Sequence, residues 1–197
     1  MKKSNLVLSV LFAVPLSLVG CGSSTPAKEA AAPVPDCVFP NTNVAAPGWI
    51  CDEPVPGLAV SAVGVAEPTK AGIAFQKDIA AADARGQLAE RMKVQVAKMV
   101  KKYLGTTGVG SEQTVDAAAS STLKTITSEN LVSTRIYKTR TGPNGRLYVL
   151  VGMDPEAKAK TVQEAVSTSM KNDQALWQQF KAKQSFEEMA AEIAKQN

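Results

Sequence analysis

Histidine is absent from this sequence, and aromatic residues are scarce: among 197 residues there are five phenylalanines, three tyrosines and two tryptophans. The chain therefore lacks the commonest general base and the commonest ligand of zinc and other transition metals. It also has no paired carboxylates in an apolar setting, no Gly-x-Ser-x-Gly turn and no His-Glu-x-x-His motif. From these absences we expect no enzymatic activity, no catalytic residue, no metal site and no cofactor.

Charge is nearly balanced, with 22 lysines and arginines against 18 aspartates and glutamates. We find no basic stripe with interleaved aromatic residues, which argues against nucleic acid as a partner. The stretch GTTGVGS at 105–111 is glycine-rich like a phosphate-binding loop, but it lacks the lysine and the preceding strand that such a loop needs. The sequence therefore indicates no small-molecule substrate either.

The first residues have the features of a bacterial secretory leader. Lys2 and Lys3 precede an apolar run over residues 6–20, which is shorter than the roughly 20 residues that a membrane span requires. The run ends in LVGC at 18–21, which resembles the lipobox of bacterial lipoproteins. That pattern implies cleavage before Cys21, a diacylglycerol on its thiol and an acyl chain such as palmitate on its new amine. We predict that residues 1–20 are a signal peptide and that Cys21 is lipidated.

The lipid would hold the protein at a membrane surface. Each buried methylene contributes roughly 0.8 kcal/mol, and two or three acyl chains anchor a protein stably where one does not. Residue 22 is glycine, whereas the inner-membrane retention signal of enteric-type lipoproteins resembles aspartate at that position. We therefore expect the outer membrane, with the domain facing the periplasm. Residues 21–36 are small, polar and proline-containing, and predict a lipidated flexible tether.

Two further cysteines, Cys37 and Cys51, form an even pair in a protein that its leader directs to an oxidising compartment. Their spacing is far from that of a Cys-x-x-Cys redox motif. A disulfide between them would stabilise the fold by roughly 3 kcal/mol in the chain-entropy model. We predict a disulfide-closed loop over residues 37–57.

Hydrophobic periodicity predicts the elements of the following domain, residues 58–154. A short strand is predicted at 58–66, where Gly64 marks a close approach or a bulge, and two strands at 131–140 and 146–153 flank a TGPNG hairpin turn. Residues 70–104 are predicted to be a helix ended by Gly105, and residues 112–128 a weaker helix. The apolar stripe of the long helix consists of Ala81, Ala84, Leu88, Met92, Val96, Met99 and Tyr103.

A helical tail is predicted over residues 155–197. Asp154 and Pro155 fit the N-cap and first position of a long helix. The SFEE stretch at 185–188 is a capping-box sequence, so a break near residue 184 and a short terminal helix are expected. Trp177 and Phe180 are interpreted as packing residues.

Asp83 and Arg85 carry opposite charges and lie two residues apart in the stretch AAADARGQLAER at 80–91, whose other residues are mostly small or apolar. Two residues apart on a helix, they do not face each other, so each would reach a strand, a loop or another subunit. Plain solvation or a contact within the domain is the alternative. We take both residues as candidates for interaction or packing, with the small-residue face around Ala80–Ala84 as a surface for close approach.

Three segments carry a family resemblance: SAVGVAE at 61–67, AAADARGQLAERM at 80–92 and GRLYVLVGMD at 145–154. In this order they resemble the Lpp-twenty family of bacterial outer-membrane lipoproteins, which includes the flagellar lipoprotein FlgP. The match runs from about residue 48 to residue 154. The family implies an α+β domain with a helix on a small antiparallel sheet, and it supplies no catalytic residues.

We therefore expect an α+β protein with about three antiparallel strands, packed by a long amphipathic helix and followed by a long C-terminal helical extension. Its expected role is that of a non-enzymatic outer-membrane lipoprotein, a structural or interaction module that self-assembles or associates with an envelope complex such as the flagellum. The alternative is a regulator that activates peptidoglycan-synthesising enzymes.

Overall fold

The computed structural model describes residues 36–107, 110–127, 131, 133–183 and 185–196. Short 3-10 turns lie at Gly48–Cys51 and Gln178–Lys183. The strands and helices, in chain order, are β1 (Val60–Ala66), α1 (Ile73–Thr107), α2 (Glu112–Leu123), β2 (Arg135–Thr141), β3 (Leu147–Met153), α3 (Pro155–Asn172), α4 (Gln174–Trp177) and α5 (Phe186–Ala194).

The strands form one antiparallel sheet in the order β1-β3-β2, so the last strand in sequence is the central one. All seven residues of β3 are buried. A strand that is apolar on both faces belongs between two layers, and β3 has one on each side. The predicted α+β class, with a small antiparallel sheet and a long helix, is confirmed.

Helix α1 covers one face of β1 and β3 and runs back along β1. The two backbones come very close: a Cβ built on Gly64 would lie 1.9 Å from the Ala80 carbonyl oxygen and 2.3 Å from the Ala84 nitrogen. Only glycine fits there, as the sequence predicted for a close approach. The predicted apolar stripe of α1 is buried throughout its length. At the start of the helix, Gln76 donates hydrogen bonds to the Ala66 and Gly145 carbonyls.

The segment closed by the disulfide covers the opposite face. Cys37 and Cys51 are joined with their Cα atoms 5.9 Å apart. The closed segment carries Phe39 and Trp49, which pack with Tyr148 and Leu150 of β3 in a second apolar cluster. The Phe39 and Tyr148 ring centroids lie 5.4 Å apart. The disulfide therefore fastens a layer of the core rather than closing a free loop.

Beyond the sheet, the second half of α1 packs against α2 and α5, and α3 packs against α5. The indole of Trp177 is fully buried and contacts Phe180 edge-on, with centroids 5.9 Å apart. This arrangement confirms their interpretation as packing residues. The tail predicted at 155–197 thus contributes to the same apolar core as α1 and the sheet.

Local capping follows the sequence. The Asp154 carboxylate accepts a 2.8 Å hydrogen bond from the Ala157 amide at the start of α3. Ser185 and Glu188 form the predicted capping box of α5. In the hairpin, the Gly142 amide donates to the Arg146 carbonyl over 2.8 Å, closing the predicted turn.

Several predicted boundaries are wrong. Gly105 does not end α1, which continues to Thr107; a glycine inside a helix costs only about 1 kcal/mol, and Gly110 adopts the left-handed conformation instead, with φ of +97°. Helix α2 ends at Leu123, and β2 begins four residues later than predicted. The long helix from Pro155 breaks at Asp173, whose φ and ψ of −135° and 55° are not helical.

Candidate interaction surfaces

The lipidation residue Cys21, the signal peptide 1–20 and nearly all of the tether 21–36 lie outside the described residues, and their predictions stand as made. No helix in the described part of the chain is long and apolar enough to cross a membrane. The described residues also contain no cluster of three or more potential metal-ligating side chains. Three surfaces of the described domain are candidates for interaction: its two sheet edges and the outer face of α1.

Asp83 lies at the outer edge of β1. Its Oδ2 accepts a 2.9 Å hydrogen bond from the backbone amide of Val65 and a 3.2 Å bond from the Gln87 side-chain amide. The bond reaches an amide on the side of β1 that faces away from β3, since β1 is an edge strand. Asp83 therefore satisfies an edge donor within its own domain.

Arg85 points to the other flank of α1. Its Nε donates a 3.1 Å hydrogen bond to the Thr134 hydroxyl, which in turn donates to the Leu131 carbonyl. This chain of bonds ties α1 to the residues immediately before β2. Asp83 and Arg85 are therefore not brought together, and each makes a contact inside the domain.

The small-residue face that was expected to receive a partner is occupied by β1. Ala80, Ala81 and Ala84 are 0%, 3% and 0% exposed, because Gly64 brings β1 directly onto them. The close approach inferred from the small side chains is real, but it takes place within the chain. A partner cannot reach this face while the domain is folded.

Arg91 is a second residue at the β1 edge, and sequence reasoning missed it. Its Nη1 donates a 2.8 Å hydrogen bond to the Ser61 carbonyl, and its Nη2 forms a 2.7 Å ion pair with Asp52. At the outer edge of β1, Asp83 thus accepts a hydrogen bond from one backbone amide, and Arg91 donates a hydrogen bond to one backbone carbonyl. Nothing in the local pattern distinguishes Arg91 from other charged residues of α1, so its role follows only from the packing.

The opposite edge, β2, is different in kind, because all seven of its residues are exposed. The register places Arg135, Lys138 and Arg140 opposite Gly152, Leu150 and Tyr148 of β3. Directly opposed residues share a face, so the three cations form a row on the face that the disulfide-closed segment covers elsewhere. We call these three residues the β2 cation row.

No described residue forms an ion pair with the β2 cation row. The contrast with the adjacent hairpin is direct: Arg146 forms a 2.6 Å ion pair with Glu67, and this contact raises the pKa of the Arg146 guanidinium. Ile136 and Tyr137 add exposed apolar surface to β2, with 36% and 41% of their area accessible, and a bulge lies between Ile136 and Lys138.

Sequence reasoning missed this surface although a signal was present. A half-buried strand alternates apolar and polar residues, whereas RIYKTRT has two adjacent apolar residues and polar ones elsewhere. Such a strand has no face to bury. It also places Tyr137 among three cations, contrary to the expectation that no basic stretch contains an aromatic residue.

The outer face of α1, away from the sheet, carries a second exposed apolar surface. Phe75, Ile79, Ala82 and Gly86 recur at steps of four, three and four, so they lie along one line of the helix. Phe75 and Ile79 are 51% and 43% exposed, and a Cβ on Gly86 would meet nothing within 4 Å. We call these four residues the α1 stripe.

Comparison with known proteins finds one relationship. The family model for LPP20 lipoprotein matches residues 47–154, more than half of the chain and all three strands of the sheet. No curated protein and no solved structure matches the chain. The matched range ends at the N-cap of α3, so helices α3 to α5 lie outside it.

Proposed function

Because the chain belongs to the LPP20 lipoprotein family and is therefore a lipoprotein of the cell envelope, we propose that it is a non-enzymatic module that assembles at the outer membrane. In this proposal the acyl chains on Cys21 hold the protein in the membrane, and residues 22–36 give the domain a reach of at most about 50 Å into the periplasm. The domain itself then acts through its surfaces, with itself or with an envelope machine such as the flagellum.

The observation that supports self-assembly is the α1 stripe. Its large side chains, Phe75 and Ile79, lie toward the start of the helix, and its small ones, Ala82 and Gly86, lie toward the middle. When two copies meet in antiparallel orientation, the large residues of each face the small residues of the other. A two-fold contact of this kind is self-complementary, and small residues let the two helices approach closely.

The position of the stripe on α1 supports the same arrangement. Past the stripe, Ala89 and Val100 are 3% and 0% exposed, and the helices that contact α1 are α2 and α5. Where α1 lies over the sheet, its outward side is exposed at Phe75 and Ile79. Helix α1 of a second copy would pack on that side. The stripe is thus an exposed apolar stretch of α1 that precedes the part of the helix where Ala89 and Val100 are buried.

Lipidation is tested with Cys21→Ser. Without the thiol, the variant is expected to accumulate as an unprocessed precursor that takes up no labelled fatty acid and leaves the outer-membrane fraction. Incorporation of label into this variant would remove the anchor from the proposal.

Self-assembly is tested with Phe75→Ser combined with Ile79→Ser, and Val94→Ser is the matched control. Val94 is equally exposed, at 56%, but lies outside the stripe. We expect light scattering of the full chain in detergent to detect dimers or larger species for the wild type and for Val94→Ser, and monomers for the double variant. A wild-type protein that stays monomeric at high concentration would overturn the self-assembly proposal.

That last outcome would favour the second candidate function, a regulator that activates peptidoglycan-synthesising enzymes. The open edge of β2 supports it, because this edge suits a partner other than a second copy. Affinity capture of a wall-synthesis enzyme by the wild type, lost when β2 is altered, distinguishes the regulator from the self-assembling module.

A further inference from the structure

We propose that β2 binds an extended acidic segment of another envelope protein, which adds to the sheet as a fourth strand beside β2 and pairs its carboxylates with the β2 cation row. This inference rests on the proposed function, because it gives the interaction module a specific partner chemistry. It concerns a surface on a different element from the α1 stripe.

The first support is the free backbone of β2. The strand pairs with β3 on one side only, and no described residue forms an ion pair or a side-chain hydrogen bond with its seven residues. An edge strand of this kind presents a row of amide and carbonyl groups that can pair with an added strand. Natural proteins usually block such edges, as Asp83 and Arg91 do at β1.

The second support is the arrangement of charge. Lys138 and Arg140 are two residues apart on one face, a separation of about 6.8 Å along a strand, and Arg135 shares that face across the bulge. A strand added beside β2 repeats the same spacing between alternate side chains. Carboxylates at alternate positions therefore meet the cations one by one, and opposite charges on neighbouring strands are stabilising.

The charge pattern also excludes the nearest alternative occupant, a second β2. In an antiparallel β2–β2 pair, the cation rows of the two copies lie on the same face beside each other, and like charges directly opposite are destabilising. Pairing of β2 with the β1 edge of another copy is blocked by Asp83 and Arg91. Residues 21–36 of the chain carry no run of alternating carboxylates, so the tether does not match the expected motif.

Side chains on β2 supply contacts beyond charge. Ile136 and Thr139 lie on the α1 face of the strand, opposite Val151 and Val149, and both are exposed. Residues between the carboxylates of the added strand would rest on this face, so β-branched residues fit those positions. The expected motif is an acidic residue alternating with threonine or valine.

The test uses the full chain, purified from membranes in a nonionic detergent, and a seven-residue peptide in which four glutamates alternate with three threonines. We expect saturable binding that weakens with added salt and increases hydrogen-exchange protection of β2 amides. A peptide of the same composition with its glutamates grouped at one end is expected to bind at least fivefold more weakly. Equal binding of the two peptides would overturn the proposal.

Backbone pairing is tested with two N-methylated peptides, one methylated at the glutamates and one at the threonines. In an added strand only one of these sets faces β2, so one methylated peptide should lose binding at least tenfold and the other should keep it. If both bind as the parent does, the contact is not a strand addition and the proposal fails.

The protein side is tested with Arg135→Glu, Lys138→Glu and Arg140→Glu combined, and with Lys138→Glu alone. We expect at least tenfold and threefold weaker peptide binding, respectively. The control combines Lys70→Glu, Lys160→Glu and Lys171→Glu, which makes the same change in net charge at exposed lysines outside β2 and should leave binding within twofold of wild type. Binding of the peptide by Lys138→Glu at wild-type strength would contradict the proposal.

Vesicles containing phosphatidylglycerol distinguish a lipid surface from a protein segment. If the β2 variants lose vesicle binding while the wild type ignores the alternating peptide, the cation row serves the membrane and the strand proposal is wrong. Neither result bears on the α1 stripe, whose test is oligomeric state. Failure here is therefore separable from failure of the self-assembling module.

Discussion

Strands β1 and β2 both pair with β3, yet β1 is enclosed on its remaining sides and β2 is open on all of them. Helix α1 covers one face of β1, and Val63 and Val65 on its other face pack against the apolar cluster that contains Phe39 and Trp49. Its outer edge is occupied by Asp83 and Arg91. None of these covers extends to β2.

The difference shows how a small sheet can keep one edge available without becoming unstable. The central strand is covered on both faces, so the core does not depend on β2 being covered. The β2 cation row discourages pairing with an identical edge, which limits aggregation. The edge remains free for a partner of opposite charge.

The largest effect on this comparison is expected from Gly64→Ala. The new Cβ would strike the backbone of α1, which has no flexible side chain to move aside. We expect the free energy of unfolding to fall by about 3 kcal/mol or more, measured by urea denaturation. Gly105→Ala in the same helix is the control, because its Cβ meets nothing, and it should stabilise by about 0.5–1 kcal/mol. Equal effects would mean that α1 does not pack on β1 as described.

Removal of the disulfide tests how the disulfide-closed segment packs on the face of the sheet opposite α1. Cys37→Ser with Cys51→Ser frees the segment that holds Phe39 and Trp49 on the sheet, and we expect a loss of about 3 kcal/mol in the free energy of unfolding. The environment of Trp49 should become wetter, which is followed by fluorescence in a Trp177→Phe background. Alkylation of the unreduced wild-type protein at both cysteines, detected by mass spectrometry, would contradict the pairing.

A contact far from both edges serves as a reference. The Tyr103 hydroxyl donates a 2.9 Å hydrogen bond to Glu192 of α5, and burial together with this carboxylate raises the pKa of Tyr103 from 10.0 to about 12. The folded state thus holds the phenolic proton more tightly than the unfolded chain does. The contribution to stability is present below pH 10 and is lost as the pH rises from 10 to 12.

Tyr103→Phe removes that contribution. We expect it to lower the free energy of unfolding by about 1 kcal/mol at pH 8. The difference from wild type should shrink between pH 10 and pH 12, because the wild type loses there what the variant already lacks. If the difference in the free energy of unfolding between the two proteins stays constant from pH 10 to pH 12, folding does not raise the pKa of Tyr103.

The smallest effects are expected at the β1 edge. Asp83→Ala removes the acceptor of the Val65 amide and should cost about 1 kcal/mol. Glu90→Ala removes only an exposed pair with Lys93 and should cost less than about 0.5 kcal/mol. Loss of the Asp83 carboxylate should also make β1 resemble β2, so that its outer amides exchange faster with solvent. Equal costs for the two variants would mean that the edge contact contributes nothing.

Much of the fold could be predicted from local pattern. The strand with Gly64, the hairpin before β3 and the caps at Asp154 and Ser185 depend on neighbouring residues, and each appears where its sequence indicates. The errors lie at element ends. Helix α1 continues past Gly105 because a glycine inside a helix has only a small energetic cost. The helix from Pro155 ends before Asp173, and its apolar positions in the sequence already drift around the helix axis.

The sequence by itself also determined the family, because the three segments that carry the resemblance are properties of the chain alone and lie within the range that the family model matches. Only the tertiary structure decided which surfaces are free. Small residues such as Ala80 and Ala84 allow close approach either of another copy or of β1. Gly64, sixteen residues before Ala80, lets the backbone of β1 take that position. Likewise, the cations of β2 are available because no layer covers that strand. Both outcomes depend on contacts between residues distant in sequence, which hydrophobic periodicity and spacing do not encode.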